Sequence, residues 1–296
     1  MLLDDASRSD ALSDAASELH DLLCNGSEPP ARGSGTLLPS GLAISPADAA
    51  SCAKDARRTA VFLRGIRDAI REARRRFPGR RLNVVYAGTG PLATLVIPLL
   101  PFLSPDAVRF SFIDIHAEAI ASVEEIVRRF GFDDFILGTH VTDATTYRSA
   151  HSVHVAIVET MQRALTVEPQ VAVMRNLASQ LVPGGLLVPQ RIVLTVGIAD
   201  PAALPASPIV PVGTIDDFRN EATFRLPVLP SRYRAVCIAE IDVFGPHRLR
   251  AFESGLTYPE VFWDLAADGQ RATFFYEEAV RPGLRWRLTS PPESGR

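Results

Sequence analysis

Two acidic side chains, Glu159 and Glu168, stand nine residues apart in Glu159-Thr-Met-Gln-Arg-Ala-Leu-Thr-Val-Glu168. Carboxylates that converge on one point repel each other unless a cation lies between them. A guanidinium suits that place, because its planar fork of N–H groups pairs with carboxylates two bonds at a time. The spacing equally accommodates a plainer arrangement, in which Glu159 ends a strand and Glu168 opens the next helix before Pro169. A second group of residues lies upstream. Gly88-Thr-Gly90-Pro-Leu-Ala93 forms a tight turn whose backbone, bare of Cβ atoms, can lie against a ligand at a helix N-terminus. Asp114, 24 residues beyond Gly90, is placed to accept from two ribose hydroxyls. Asp143, in Thr142-Asp143-Ala144, can accept from an adenine amino group or simply cap its own loop. The turn fits a nicotinamide or flavin dinucleotide through its Gly-x-Gly-x-x-Ala pattern, and it fits S-adenosyl-L-methionine, whose ribose needs an acid at the same place. It also fits a turn that only packs a helix against a strand.

The elements that must position these groups alternate. Buried-strand patterns occupy 82–87, 108–115, 135–141 and 153–158, with a helix over 117–130 between the second and third. A further helix over about 169–181 ends at Pro183-Gly184-Gly185, and Leu186 begins the next strand. Strands and helices in this order predict an α/β fold with a doubly wound, Rossmann-like parallel sheet. Both glycines and three of the four acids then fall at carboxyl ends of strands, where such sheets bind ligands. Upstream, Ser45-Pro46-Ala47-Asp48 starts a helix running to about 76 and broken near Gly65. Residues 25–35, rich in Pro and Gly, read as a loop. Downstream of Gln190, short strands at 191–197, 233–243, 271–276 and 284–288 predict a C-terminal antiparallel β domain.

Composition narrows the possibilities. The 296 residues are 47% apolar and 22% charged, enough to bury a large core, and the net charge of -3 offers no bulk attraction to nucleic acid or anionic membrane. No apolar run is long enough to span a bilayer, and Met1-Leu-Leu-Asp-Asp does not read as a secretory signal, so the expected compartment is the cytoplasm. Cys24, Cys52 and Cys237 suit neither a disulfide framework nor a zinc site, and His151 and His154 have no ligand-spaced partners, so no metal is expected. Lys54 is the only lysine among 31 basic residues, and the eight arginines from Arg64 to Arg81 read as a solvated helical face.

The stretch from about 48 to 195 resembles the protein arginine methyltransferases, a branch of the class I S-adenosylmethionine-dependent methyltransferases. Glu159, Met161 and Glu168 match that family's double-glutamate loop, Leu181-Val-Pro-Gly-Gly its strand leading into a β domain, and Lys54-Asp-Ala-Arg-Arg58-Thr its cofactor-binding helix. Val84 and Tyr86 depart from the family's first motif, Thr160 stands where tryptophan is expected, and its threonine-histidine-tryptophan motif has no counterpart, His247 lying in another context. The chain is more similar to bacterial free L-arginine N-methyltransferases of natural-product biosynthesis, of the streptozotocin-pathway type. The resemblance implies S-adenosyl-L-methionine held by Arg58 at its carboxylate, by Tyr86, Ala87, Gly88 and Gly90 in the turn, by Asp114 and Ile115 at the ribose, and by Asp143 and Ala144 beside adenine. It implies an arginine guanidinium held by Glu159, Met161 and Glu168, with the two glutamates catalytic. It further implies a helical, lid-like segment over 1–80, a cofactor domain over 81–190, a barrel-like substrate and dimerisation domain over 191–296, and a homodimer. An NAD(P)-dependent oxidoreductase, a methyltransferase of another small molecule or of peptidyl arginine, and an idle binding protein remain the alternatives.

Overall fold

The computed structural model describes residues 1–4, 9–24, 34–206 and 209–289; most of the loop expected over 25–35 lies outside them. Helix α1 (Ser9–Cys24) buries Leu12, Ala16 and Leu23 and packs on the later helix over Ala56–Arg76. A short hairpin follows, β1 (Thr36–Leu38) against β2 (Gly41–Ala43). Helix α2 (Pro46–Ser51) begins as its sequence predicts, with Pro46 in the first turn and the Ser45 hydroxyl accepting from the Asp48 N–H at 3.2 Å. The helix break, however, is not at Gly65. It falls at Cys52–Lys54, a single 3-10 turn, after which Asp55 caps α3 (Ala56–Arg76). Gly65 lies inside α3 for a packing reason: a Cβ there would sit 2.5 Å from Val243 Cγ1 on a C-terminal strand.

Strands β3 (Leu82–Ala87), β4 (Val108–Asp114), β5 (Ile136–Val141), β6 (Val153–Val158) and β7 (Leu181–Val188) form one parallel sheet in the order β5-β4-β3-β6-β7, with α4 (Ala117–Phe130) and α5 (Gln170–Ala178) in its crossovers. Successive side chains on a strand point to opposite faces. Val84, Tyr86, Phe110, Phe112, Val155 and Ile157 therefore share a core with α3 and α4, while Val85, Ala87, Ile113, Ala156 and Val158 meet Val173 and Leu177 of α5. Two details depart from expectation. No α-helix opens at the glycine turn; turns lead instead to a 3-10 stretch, Ile97–Phe102, where Pro98 and Pro101 lack the N–H groups an α-helix needs. The Pro-Gly-Gly segment belongs to β7 itself, as an irregularity that carries the pairing from Val153↔Leu181 to Val155↔Leu186.

After two residues the chain enters β8 (Arg191–Ala199). It continues through β9 (Val210–Ile215), β10 (Ala222–Arg225), β11 (Arg234–Phe244), β12 (His247–Leu249), β13 (Glu260–Ala266), β14 (Arg271–Glu277) and β15 (Gly283–Leu288). All pair antiparallel, in a sheet ordered β12-β11-β8-β9 with β13 also on β11, and a smaller one ordered β10-β14-β15. The fold class expected from the sequence is the one observed; strands β9, β10, β12 and β13, short or bounded by irregular segments, went unpredicted. The arginines on α3 are not uniformly solvated. Arg64 is buried and donates to the Leu2 and Asp4 carbonyls, and Arg67 donates to that of Leu3. Among the described residues no helix is long and apolar enough to cross a membrane.

Candidate active site

Strands β3 and β6 are neighbours at the point where successive connections leave in opposite directions, the place where sheets of this kind leave a crevice at their carboxyl ends. Gly88 follows β3 and Glu159 follows β6, with the Glu159 N–H donating to the Ala87 carbonyl at 3.1 Å. Gly88 has φ +78°, and a Cβ on it would lie 2.4 Å from the Glu159 carbonyl oxygen. Its missing side chain thus lets the turn abut the glutamate loop, a role beyond ligand approach. Gly90, at φ +55°, donates its N–H to Asp114 Oδ2 at 2.9 Å.

A cavity with an empty volume of about 890 Å³ opens above this turn. Of the residues expected to hold the cofactor, Tyr86, Gly88, Gly90, Asp114, Ile115, Asp143, Ala144 and Arg58 all line it. Ala87 does not; its side chain is buried in the core on the α5 face. Asp114 Oδ1 accepts from the His116 N–H at 3.0 Å, and the bond between the two side chains pushes the His116 imidazole pKa up. Each carboxylate oxygen has two lone pairs, so Asp114 keeps capacity for hydroxyl donors. Asp143 Oδ1 accepts from the Thr145 N–H and hydroxyl at 2.8 and 2.7 Å, so the capping role and the cavity wall coincide. The β1–β2 hairpin supplies Leu38 and Ala43 to the same wall and is tied across it by Thr36 Oγ1 to His116 Nε2 at 3.0 Å. Thr89, between the two glycines, has a buried hydroxyl with no partner among the described residues. An orphaned donor beside an acid suited to a ribose, in a crevice of this size, fits the nucleoside and amino-acid ends of S-adenosyl-L-methionine.

Behind this cavity and opening into a second one lie Arg58, Glu159, Met161 and Glu168. Only 9% of Glu159, 7% of Glu168 and 6% of Arg58 is exposed, so their charges are largely withdrawn from water. Arg58 Nε donates to Glu159 Oε1 at 3.0 Å, Nη2 donates to Oε2, and Nη1 donates to the Cys52 carbonyl at 3.2 Å. Burial alone would lower the Arg58 pKa, but the Glu159 charge, the Cys52 thiol and the hydrogen bond to Glu159 together outweigh it and drive the pKa up. Glu168 makes no hydrogen bond or ion pair among the described residues, and burial, then the Glu159 charge, push its carboxyl up to about 8. Glu159 therefore grips a guanidinium from its own chain, and beside it Glu168 is a buried acid that pairs with no cation among the described residues.

Residues with no sequence signal of their own hold this loop. Gln170, wholly buried, accepts from the Thr160 N–H at 2.9 Å and hydroxyl at 3.1 Å and donates to the Val158 carbonyl at 3.1 Å, stapling the loop where it leaves β6. The hairpin secures the far end, Leu42 N–H donating to Val167 O at 2.9 Å. Asp55 Oδ1 caps α3 at the Arg58 N–H, while its Oδ2 accepts from the Ser254 hydroxyl and the Gly255 N–H at 2.7 and 2.9 Å. Its position just before a helix was the one available hint. His247 contacts Asp68 of α3 at 2.8 Å and lines neither cavity. His154 accepts from the Asn83 N–H, and among the described residues no cluster of His, Cys, Asp and Glu is arranged to hold a metal.

Comparison of the sequence with family models and with curated proteins gives no match. Among solved structures, 295 chains match in fold. One is the Trypanosoma brucei PRMT1 enzyme-prozyme heterotetrameric complex with AdoHcy, similar over 82% of this chain and 93% of that one, with a TM-score of 0.53 and 15% sequence identity. At that identity the likeness speaks to the fold.

Proposed function

We propose that this chain is an S-adenosyl-L-methionine-dependent N-methyltransferase acting on a guanidino nitrogen of arginine, taken as the free amino acid, in natural-product biosynthesis. One observation carries the reading: a buried acid that pairs with no cation among the described residues, Glu168, stands beside a carboxylate already chelating a guanidinium. The PRMT1 complex of the same fold, solved with AdoHcy, supports the choice of cofactor. The nicotinamide alternative loses its footing, since its fingerprint requires a helix directly after the glycine turn and none begins there. The resemblance further supports a homodimer.

When bound, the cofactor supplies an activated methyl group on a sulfonium. Arg58 has five N–H donors and spends three on Glu159 and Cys52. The remaining two can take the carboxylate of the cofactor while the arginine still orients Glu159. Asp114 receives the ribose hydroxyls and Thr89 donates its free hydroxyl. Glu159, through its remaining lone pairs, and an ionised Glu168 hold two nitrogens of the substrate guanidinium and draw positive charge toward themselves. The third nitrogen would be left more nucleophilic and turned toward the cofactor cavity, so that orientation supplies most of the acceleration. The surplus proton of the methylated nitrogen would pass to a glutamate and then to water.

The test is mass spectrometry of products from free L-arginine and from an arginine-rich peptide. Methylarginine should appear, and Glu168→Gln should lower kcat by at least about 10²-fold while cofactor binding, followed by calorimetry, persists. Normal turnover by that variant contradicts the mechanism.

A further inference from the structure

The second cavity, with an empty volume of about 1270 Å³ including its open mouth, runs from the two glutamates to the start of β13. Beyond Arg58, which is engaged with Glu159, a single basic side chain lines it among the described residues: Arg163. Arg163 Nε lies 3.2 Å from Glu260 Oε2, an acid that lines the same cavity from the opposite part of the chain. The side chains are 49% and 37% exposed. An ion pair this wet contributes little to stability, so folding alone does not account for its place. The backbone beside it is costly. Ala164 and Leu165 both hold left-handed conformations, φ +51° and +55°, which side-chain-bearing residues rarely adopt. They are held there by the Tyr276 hydroxyl donating to the Leu165 carbonyl at 3.0 Å and by the Leu165 N–H donating to Gln162 at 2.9 Å. This turn buries Ala164 and Leu165 and leaves Arg163 at the rim. Strain of this kind, kept by its surroundings, marks a position with a task.

Resting on the arginine methyltransferase reading, we infer that Arg163 and Glu260 are the specificity determinants for the amino-acid end of the substrate. A free α-amino acid presents one carboxylate and one ammonium on adjacent atoms. The Arg163–Glu260 pair presents the matching charges side by side, at the outer end of the cavity whose inner end takes the guanidinium. Arg163 pairs with the α-carboxylate and Glu260 with the α-amine, each exchanging its present partner for the substrate. A peptide bond at either position removes one of those charges, so the pair selects free arginine over arginine within a chain.

The experiment compares L-arginine, agmatine (no carboxylate) and Nα-acetyl-L-arginine (no charged amine) as methyl acceptors for the full-length wild type, Arg163→Ala and Glu260→Gln. Wild type should favour L-arginine over each analogue by about 10- to 100-fold in kcat/KM, the worth of one charged hydrogen bond. Arg163→Ala should collapse the preference over agmatine, and Glu260→Gln the preference over the acetylated analogue, each through a raised KM for L-arginine with little change in kcat. If wild type methylates L-arginine and both variants keep both preferences, the inference is overturned and the function stands. If wild type methylates none of the three, the function itself fails and the inference with it.

Discussion

At the scale of single residues, Glu168 makes the site responsive to pH. Its carboxyl is held near about 8 by burial and by Glu159, so at pH 7 most molecules carry it protonated. The form that pairs with a guanidinium is the ionised one. Arginine binding at pH 7 should therefore expel a proton, and affinity should climb almost ten-fold per pH unit until it levels above about 8. Calorimetry in two buffers of different ionisation heat checks this: the apparent enthalpies should differ in wild type and agree in Glu168→Gln. The linkage to folding has the opposite sign. Between the ordinary glutamate pKa of 4.5 and about 8 the native state keeps a proton that the unfolded chain has lost, so this group's contribution to stability falls as pH rises through that window.

At the scale of elements, the glutamate loop owes its shape to the first residue of α5. Gln170→Leu would leave the Thr160 N–H and the Val158 carbonyl without their partner, each at about 1–3 kcal/mol. The variant should melt earlier and lose kcat/KM for arginine, as thermal denaturation and steady-state kinetics would measure. This residue also shows where sequence reading stops. Glu159, Gly88, Gly90 and Asp114 were legible because each lies at a strand's carboxyl end within a local pattern, Glu168 through its nine-residue spacing from Glu159, and strands β3, β4 and β6 announce themselves by short, mostly apolar runs. Gln170, Asp55 and Arg163 act through partners 10, 199 and 97 residues away, and no local pattern encodes such meetings. The helix break was misplaced for a related reason: Gly65 looks like a breaker along the chain, whereas in space it is a contact with Val243. Helix α4, whose apolar face and closing Gly131 are purely local, matched its expected span.

At the scale of the whole molecule, the two cavities meet at Arg58, Glu159, Met161 and Glu168, so a ligand in the first completes the floor of the second. AdoHcy at a hundred times its Kd should raise the melting temperature by roughly 5 °C, with NADH leaving it unmoved in the same thermal scan. The parallel sheet and N-terminal hairpin build the first cavity, while the β domain reaches only the outer one, through Gly255, Leu256 and Glu260. The seam between them is broad: Asp55 to Ser254 and Gly255, Arg57 to Glu253 at 3.1 Å, His247 to Asp68 at 2.8 Å, the Tyr276 hydroxyl to the Leu165 carbonyl, and one hydrophobic core running from α3 to β11 and β14. On the proposed function, the donor cavity belongs to the sheet domain and hairpin, whereas the acceptor cavity draws Glu159, Glu168 and Arg163 from the sheet domain and Gly255, Leu256 and Glu260 from the β domain. Changing the short stretch from 255 to 260, with the Asp55 anchor kept, would on that reading alter which acceptor is taken in while the donor cavity stayed as it is.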